Sequence, residues 1–220
     1  MRRISIQGAK FSGFLHHAES SDEVDVVIVN AGPVSRSYFE GVFDPQLRQA
    51  PTCWSADTQR PAPEVPEEQR QSTRCMDCVH NIRGSSSGGG RACRFHQRLA
   101  VVEEQDLNTV YQLQVPASSI FGKEVNNSCM PLQAYAKFLS GHGTPSIAVV
   151  TRISFDVGSP YPKLFFYPRR PLEEDELEKV SLMVDHDDAL EAISQTTTSD
   201  TLFDTTEGFD INSQSGDQNG

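Results

Sequence analysis

The chain has 220 residues and a net charge of −11, and it contains no run of 18 apolar residues, which excludes a transmembrane helix of ordinary length. Charge is segregated: residues 1–170 sum to +2 and residues 171–220 to −13, so a near-neutral body precedes a polyanionic end. The opening Met1-Arg2-Arg3-Ile4-Ser5-Ile6 leads into no long apolar stretch, so the expectation is a cytoplasmic chain without a secretory signal, in a compartment that keeps thiols reduced.

Taken in order, Arg3 to Gln7 alternates apolar and polar as a short strand does, and Lys10 to Phe14 resumes the pattern after Gly8. Val24 to Val29 is β-branched and reads as a clear strand, and Ser35 to Phe43 as a second, stopped by Asp44-Pro45. Residues 57–71 carry Pro61, Pro63 and Pro66 and read as an extended loop. Arg98 to Glu103 and Asn108 to Val115 flank a polar turn and predict a hairpin. Pro131 to Leu139 predicts a short helix, with Leu132, Tyr135, Ala136 and Leu139 on one face and Gly141 after its end. Ser146 to Phe155 predicts a strand, with Lys163 to Tyr167 as its partner and Pro168 as the stop. Leu172 to Ile193 predicts an acidic helix with a break at Asp185-His186-Asp187-Asp188, and the chain beyond Ser194 has the composition of a disordered tail.

Six or seven short strands, one internal helix and one long insertion predict a mainly β fold, an OB-fold-like small barrel, with a β-sandwich leaving a similar trace. The expected organisation is a core over residues 1–170 with an insertion at 50–98, an acidic helix at 171–195 and an acidic tail at 196–220.

The insertion holds four of the five cysteines. Cys75-Met76-Asp77-Cys78 is a C-x₂-C knuckle, Cys93 follows in Arg91-Ala92-Cys93-Arg94, and Cys53 precedes it beside Trp54. Between Cys78 and Cys93 runs Gly84-Ser85-Ser86-Ser87-Gly88-Gly89-Gly90, a stretch that pays a large ordering entropy and has nothing to pack. A thiolate-bound metal ties down such a region, because its binding free energy becomes folding free energy. The expected cofactor is zinc on Cys53, Cys75, Cys78 and Cys93, with His96 and then His80 as reserve ligands. An iron–sulfur cluster on the same ligands, a pair of disulfides and four free thiols are the other readings of the set. Cys129 stands apart and reads as a structural thiol.

No phosphate-binding loop, G-x-S-x-G elbow, H-E-x-x-H helix or nucleobase-deaminase pattern occurs. His16-His17 and the Asp185–Asp188 run read as solvated surface. The chain therefore reads as a binding protein, not an enzyme. Single-stranded nucleic acid is held by cations along its phosphates and by rings under its bases. The cationic candidates are Arg70, Arg74, Arg83, Arg91, Arg94 and Arg98, six arginines against the single acid Asp77 within residues 70–98. Arg2, Arg3, Lys10, Arg36 and Arg152 are further cations. Trp54, Phe95, Tyr38 and Phe39 are the leading aromatic candidates, with Phe43 and Tyr111 behind them and core packing as the competing role for each.

These features together resemble the tailed-phage single-stranded DNA-binding proteins of the OB-fold, zinc-containing kind. The resemblance rests on Cys53-Trp54-Ser55-Ala56-Asp57, Cys75-Met76-Asp77-Cys78, Gly90-Arg91-Ala92-Cys93-Arg94 and the acidic C-terminus, and is one of organisation across most of the chain. It implies a non-sequence-specific coat on single-stranded DNA in phage replication or recombination, in the cytoplasm of an infected bacterial host. It also implies replication or recombination partners recruited through the tail, where Phe203 and Phe209 are the aromatic candidates. The sequence departs in offering four cysteines where family members include a histidine ligand, and in ending Asp217-Gln218-Asn219-Gly220 without an aromatic residue. A zinc-stabilised structural or protein-binding adaptor is the alternative function.

Overall fold

The computed structural model describes residues 2–14, 21–41, 50–126 and 128–194. Strand accounts for 38% of them and helix for 24%, so the fold is mainly β, built on one curled, half-barrel sheet. Its strands are β1 (Arg2–Gln7), β2 (Lys10–Ser12), β3 (Glu23–Tyr38), β4 (Cys53–Ser55), β5 (Arg94–Glu103), β6 (Asp106–Pro116), β7 (Val149–Phe155) and β8 (Leu164–Pro171). They lie in the order β2-β1-β6-β5-β3-β7-β8, with β4 added to β3. Every pairing is antiparallel except that of β1 with β6.

The sheet is organised around β3, which joins the strand expected at 24–29 to the first part of the one expected at 35–43 and ends at Tyr38, with Phe39 and Glu40 outside any strand. Its first half lies between β5 and β7, and its second half runs on between β5 and β4. The register with β5 shifts twice, between Ile28 and Asn30 and between Ala31 and Val34, across the Gly32-Pro33 pair. Proline donates no ladder hydrogen bond and bulges bend a strand, so this is where β3 bends between its two halves. Gly32 is required for a second reason: a Cβ here would sit 2.7 Å from the carbonyl oxygen of Ile193.

Two apolar layers hold the sheet. On one face, Val26, Ile28, Leu99, Val101, Tyr111, Leu113, Ile153 and Phe166 pack with α2 (Leu132–Gly141) through Leu132, Tyr135 and Leu139. The Tyr135 hydroxyl reaches the Thr151 hydroxyl at 2.7 Å, which satisfies both inside this layer. On the other face, Val27, Val29, Ala100, Val102 and Val150 take up α3 (Glu174–Met183) and α4 (Asp187–Ile193) through Val180, Ala189 and Ala192. The acidic segment is therefore amphipathic, with its break where expected. His186 caps α4, its Nδ1 accepting from the Asp188 N–H at 3.3 Å, so the Asp185–Asp188 run makes a helix start.

Several expectations need correction. β4 and a one-turn α1 (Ala117–Ile120) arise where no element was expected. Residues 146–148 form a 3₁₀ turn ahead of β7. Pro168 does not end its strand: β8 runs on to Pro171 through a register shift opposite Val150 and Thr151. His16-His17, Phe43, the Asp44-Pro45 stop and residues 196–220 lie outside the described residues.

Candidate metal centre and nucleic-acid interface

The far end of β3 pairs with β4 at Arg36–Ser55, Ser37–Trp54 and Tyr38–Cys53, and with the start of β5 at Arg36–Phe95 and Ser37–Arg94. This three-stranded ribbon carries Cys53 inside one strand and Cys93 one residue before another. The knuckle comes to them through backbone hydrogen bonds. The Cys75 N–H donates to the Gln59 carbonyl at 2.8 Å, and the Cys93 N–H to the His80 carbonyl at 2.9 Å. Gln59 is turned to receive Cys75 by Asp57, whose carboxylate accepts from the N–H groups of Gln59 and Arg60 and from the Ser55 hydroxyl. Those bonds hold the Asp57 carboxyl below its ordinary range. Thr58 pays for that turn with a φ of +65°.

Cys53, Cys75, Cys78 and Cys93 are all buried, and all four line one cavity of about 20 Å³. No disulfide joins any of the five cysteines. As placed, no three or more His, Cys, Asp or Glu side chains among the described residues close into a metal-ligand group. The fit is in donor chemistry and convergence: four soft sulfurs from three chain segments face a space of single-ion size. His80 and His96 do not line the cavity. His80 stacks on Tyr38, ring centroids 3.8 Å apart, and its Nε2 meets the Gln71 side-chain oxygen at 3.1 Å. His96 is buried on β5, where burial first and the Arg98 charge second push its pKa down to about 3.

Burial pushes the Cys93 thiol up to about 12, against the pull of the Arg36 charge, with the other three cysteines adding to the rise. Cys53 is likewise raised by burial, opposed by a backbone N–H from Gln71 and by the charge of Arg70. The couplings reach across the whole set, as four like groups in one enclosure must. A thiolate-bound cation removes that burden by replacing the protons. Cys129 stands elsewhere, in an isolated bridge with Asn126.

The aromatic and cationic candidates divide. Trp54, 7% exposed, packs with Cys53, Ala62, Val65 and Tyr38 as the small core of the insertion. Tyr111 is fully buried in the main core. Neither presents a ring to a base. Phe95 is half-buried, edge-on to Phe121 at 5.6 Å, with the Arg36 guanidinium 4.1 Å from its ring centre. Tyr38 and Phe39, which follow Arg36 in sequence, are half-buried too. Arg74, Arg83, Arg91 and Arg94 are exposed around the insertion. Arg74 lies 3.5 Å from Asp77, and Arg91 Nε donates to the Asn81 carbonyl at 2.7 Å. Arg70 is exposed but folds back onto the Val65 and Pro63 carbonyls.

Arg98 leaves the set of phosphate candidates: it is buried and donates to the Ser194 carbonyl at the end of α4. Arg152 is consumed by Asp25 and Glu23. Arg36, read from sequence as a further phosphate cation, is buried beside the cysteines. Exposed Phe121 and Tyr161 were missed as surface aromatics, and single rings in loops carry no sequence signal. Phe203 and Phe209 lie outside the described residues. No helix among the described residues is long and apolar enough to cross a membrane. Comparison of the chain with known protein families, with curated proteins and with solved structures returns no match.

Proposed function

We propose that the chain is a phage-type single-stranded DNA-binding protein, an OB-fold core with a zinc-tied insertion, coating DNA without sequence preference during replication or recombination. The observation that carries this reading is the convergence of Cys53, Cys75, Cys78 and Cys93 on one cavity, in a segment that also carries the exposed Arg74, Arg83, Arg91 and Arg94. The connectivity supports it. β3, β5 and β6 follow one another, and β7 returns after α2 to lie beside β3, the 4-1-2-3 order of a Greek key. With β8 hairpinned onto β7, this is the five-stranded set from which an OB barrel is made, and the insertion then falls in the loop between its first two strands, one of the loops by which such barrels hold oligonucleotides. Zinc would be held by the four thiolates and would supply cross-linking, with no part in chemistry. Phe95, Tyr38 and Phe39 are the rings beside the arginines. The acidic C-terminus is assigned the recruitment of replication or recombination proteins through Phe203 and Phe209, and the working place is the cytoplasm of the infected host.

The test is a titration with fluorescent oligo-dT at two salt concentrations, with metal analysis of the same sample. About one zinc per chain and salt-sensitive binding are expected; metal-free, ordered protein that ignores oligo-dT overturns the reading. One observation favours the adaptor alternative: Met76, Val79 and Ile82 stand 62–68% exposed on the knuckle. Retention of a protein partner by that apolar tip, with no affinity for oligo-dT, would decide for it.

A further inference from the structure

Among the described residues, the buried guanidinium of Arg36 has no acid to answer it. Arg36 lies on β3 with β4 on one side and β5 on the other, and is 2% exposed. Its Nη1 donates to the Cys75 carbonyl at 3.2 Å, its Cζ lies 4.1 Å over the Phe95 ring, and its Nε has no partner. No carboxylate among the described residues pairs with it. Arginine cannot shed its proton, so the charge stays. A buried cation with only a carbonyl and a ring for company is costly, and proteins bury charge where an opposite charge meets it. The groups beside Arg36 that can carry negative charge are the cysteines with which it lines the cavity.

We propose that Arg36 is the built-in counter-cation of a dianionic metal–tetrathiolate centre on Cys53, Cys75, Cys78 and Cys93, and that its charge sets how tightly the ion is held. This rests on the metal-thiolate reading above. A divalent ion on four thiolates carries a net −2. Arg36, which lines the same cavity as the four cysteines, contributes one positive charge from inside the protein and leaves the other negative charge to solvent. His80 and His96 lie outside the cavity, so the tetrathiolate is the centre that its lining offers. Phe95 completes the arrangement: its face holds the guanidinium in place and its bulk keeps water off it.

The experiment is a competition titration of the full chain with Co²⁺ and then Zn²⁺ against a chelator of known affinity. Thiolate-to-cobalt absorption reports the ligand set, and fluorescence of Trp54, the one tryptophan, reports folding of the insertion. Arg36→Gln keeps a donor for the Cys75 carbonyl and removes the charge. Arg36→Lys keeps the charge and removes the fork. The Gln variant is expected to hold the ion about 10- to 100-fold more weakly, the usual range for partners lying behind metal ligands. The Lys variant is expected to stay within about threefold of the parent. A folded Gln variant that binds as tightly as the parent overturns the proposal. So does a folded Lys variant that loses the ion as far as Gln does, because the guanidinium would then act by shape alone. If the parent itself takes up no ion, the metal-thiolate reading fails first, and the role of Arg36 falls with it.

Discussion

The interior of the half-barrel sheet and the cysteine insertion sit on the same strand, β3, and are held by different means. One layer of that sheet buries 22 of the described residues in a continuous apolar cluster, with a second layer beneath α3 and α4. The insertion buries seven described apolar side chains over some forty residues of chain, and only Cys53, Trp54, Ala62 and Val65 form a packed cluster, with Tyr38 against them; Cys75, Cys78 and Cys93 face the cavity instead. Burial per residue is what offsets the entropy of ordering, so the insertion needs a further source of order that the barrel does not. It has backbone hydrogen bonds to the cysteines, the Asp57 turn and, on the reading proposed, an ion. The lesson is that a long sheet strand can carry two structural units whose stabilities are set independently.

The sharpest break between the two is removal of the ion or of one ligand. Structural zinc in small domains contributes on the order of 10 kcal/mol of folding free energy. Chelation, or Cys75→Ser, should unfold residues 50–93 while the barrel survives: Trp54 emission shifts to the red, hydrogen exchange accelerates across the insertion, and protection of Leu99, Leu113 and Ile153 is kept. Cys129→Ser should change neither region. Loss of both regions together would show one cooperative unit and end the comparison.

The converse substitution is Phe166→Ala. Phe166 is fully buried between α2 and the sheet, stacked 6.2 Å from Tyr135. A cavity of that size costs about 3–5 kcal/mol, read as a lowered urea midpoint for the barrel, with little change in the ion affinity of the insertion.

How far the sequence led differs between the regions for the same reason. The barrel strands announce themselves by β-branched alternation, and α2 by Leu132, Tyr135 and Leu139 at helical spacing. That Cys53, Cys75, Cys78 and Cys93 would come together was legible from the C-x₂-C knuckle and the two flanking cysteines, and the fold brings all four to one cavity. What could not be read is whatever depends on who covers whom. Trp54 and Phe95 both looked like stacking rings; only the fold shows that β4 turns Trp54 into the small core and leaves Phe95 half-open. Arg36 and Arg98 looked like surface cations because a charge in a strand is usually solvated. Each is covered by an element remote in sequence, the knuckle in one case and the end of α4 in the other. Pro168 failed as a stop because a register shift there absorbs it.

Glu103 sharpens the comparison from the barrel side. It is 2% exposed at the end of β5, and neither carboxylate oxygen has a hydrogen-bond partner. A buried unpaired carboxylate costs more than a neutral amide of the same shape. Glu103→Gln is therefore expected to stabilise the barrel by about 1–2 kcal/mol, a gain of several degrees in the thermal midpoint, without altering the ion affinity of the insertion. A lowered midpoint would mean that the Glu103 side chain serves the fold where it stands.

A smaller effect separates the regions by ligand. Exposed Arg91 lies in the insertion, and exposed Arg94 opens β5 where the insertion returns to the sheet. If each contacts one phosphate, replacing both with Gln should flatten the slope of log K against log salt by about 1.4 for single strands, with barrel stability unchanged. Phe95→Leu should weaken binding with the slope intact, because stacking releases no counterions. A double arginine variant with the parental slope would place the phosphates elsewhere.

The smallest expected effect lies where the acidic segment docks. Arg170, at the end of β8, donates from Nη1 and Nη2 to the two carboxylate oxygens of Glu176 at 2.7 and 2.9 Å, and from Nε to Glu104 at 2.7 Å. Glu176 also accepts from the Glu173 N–H at 2.9 Å as half of the capping box that starts α3. The Arg170 fork first, then that backbone N–H, holds Glu176 at about 2 against an ordinary 4.5. A carboxyl depressed in the folded state adds stability that is complete above its unfolded pKa and drains away as pH falls through the folded one. The window is therefore from about pH 4.5 down to about pH 2, and nothing should change between pH 6 and 8. The pair is partly open to solvent, so screening limits it to about 0.5–1 kcal/mol. Thermal midpoints of the parent and of Glu176→Gln, followed from pH 7 downward, should differ by a few degrees at neutral pH and converge near pH 2. The difference should also shrink in 1 M salt. Midpoints that stay apart at pH 2 would assign the effect of Glu176 to packing of α3 on the sheet, and the ion pair would drop out of the account of how the acidic segment is held.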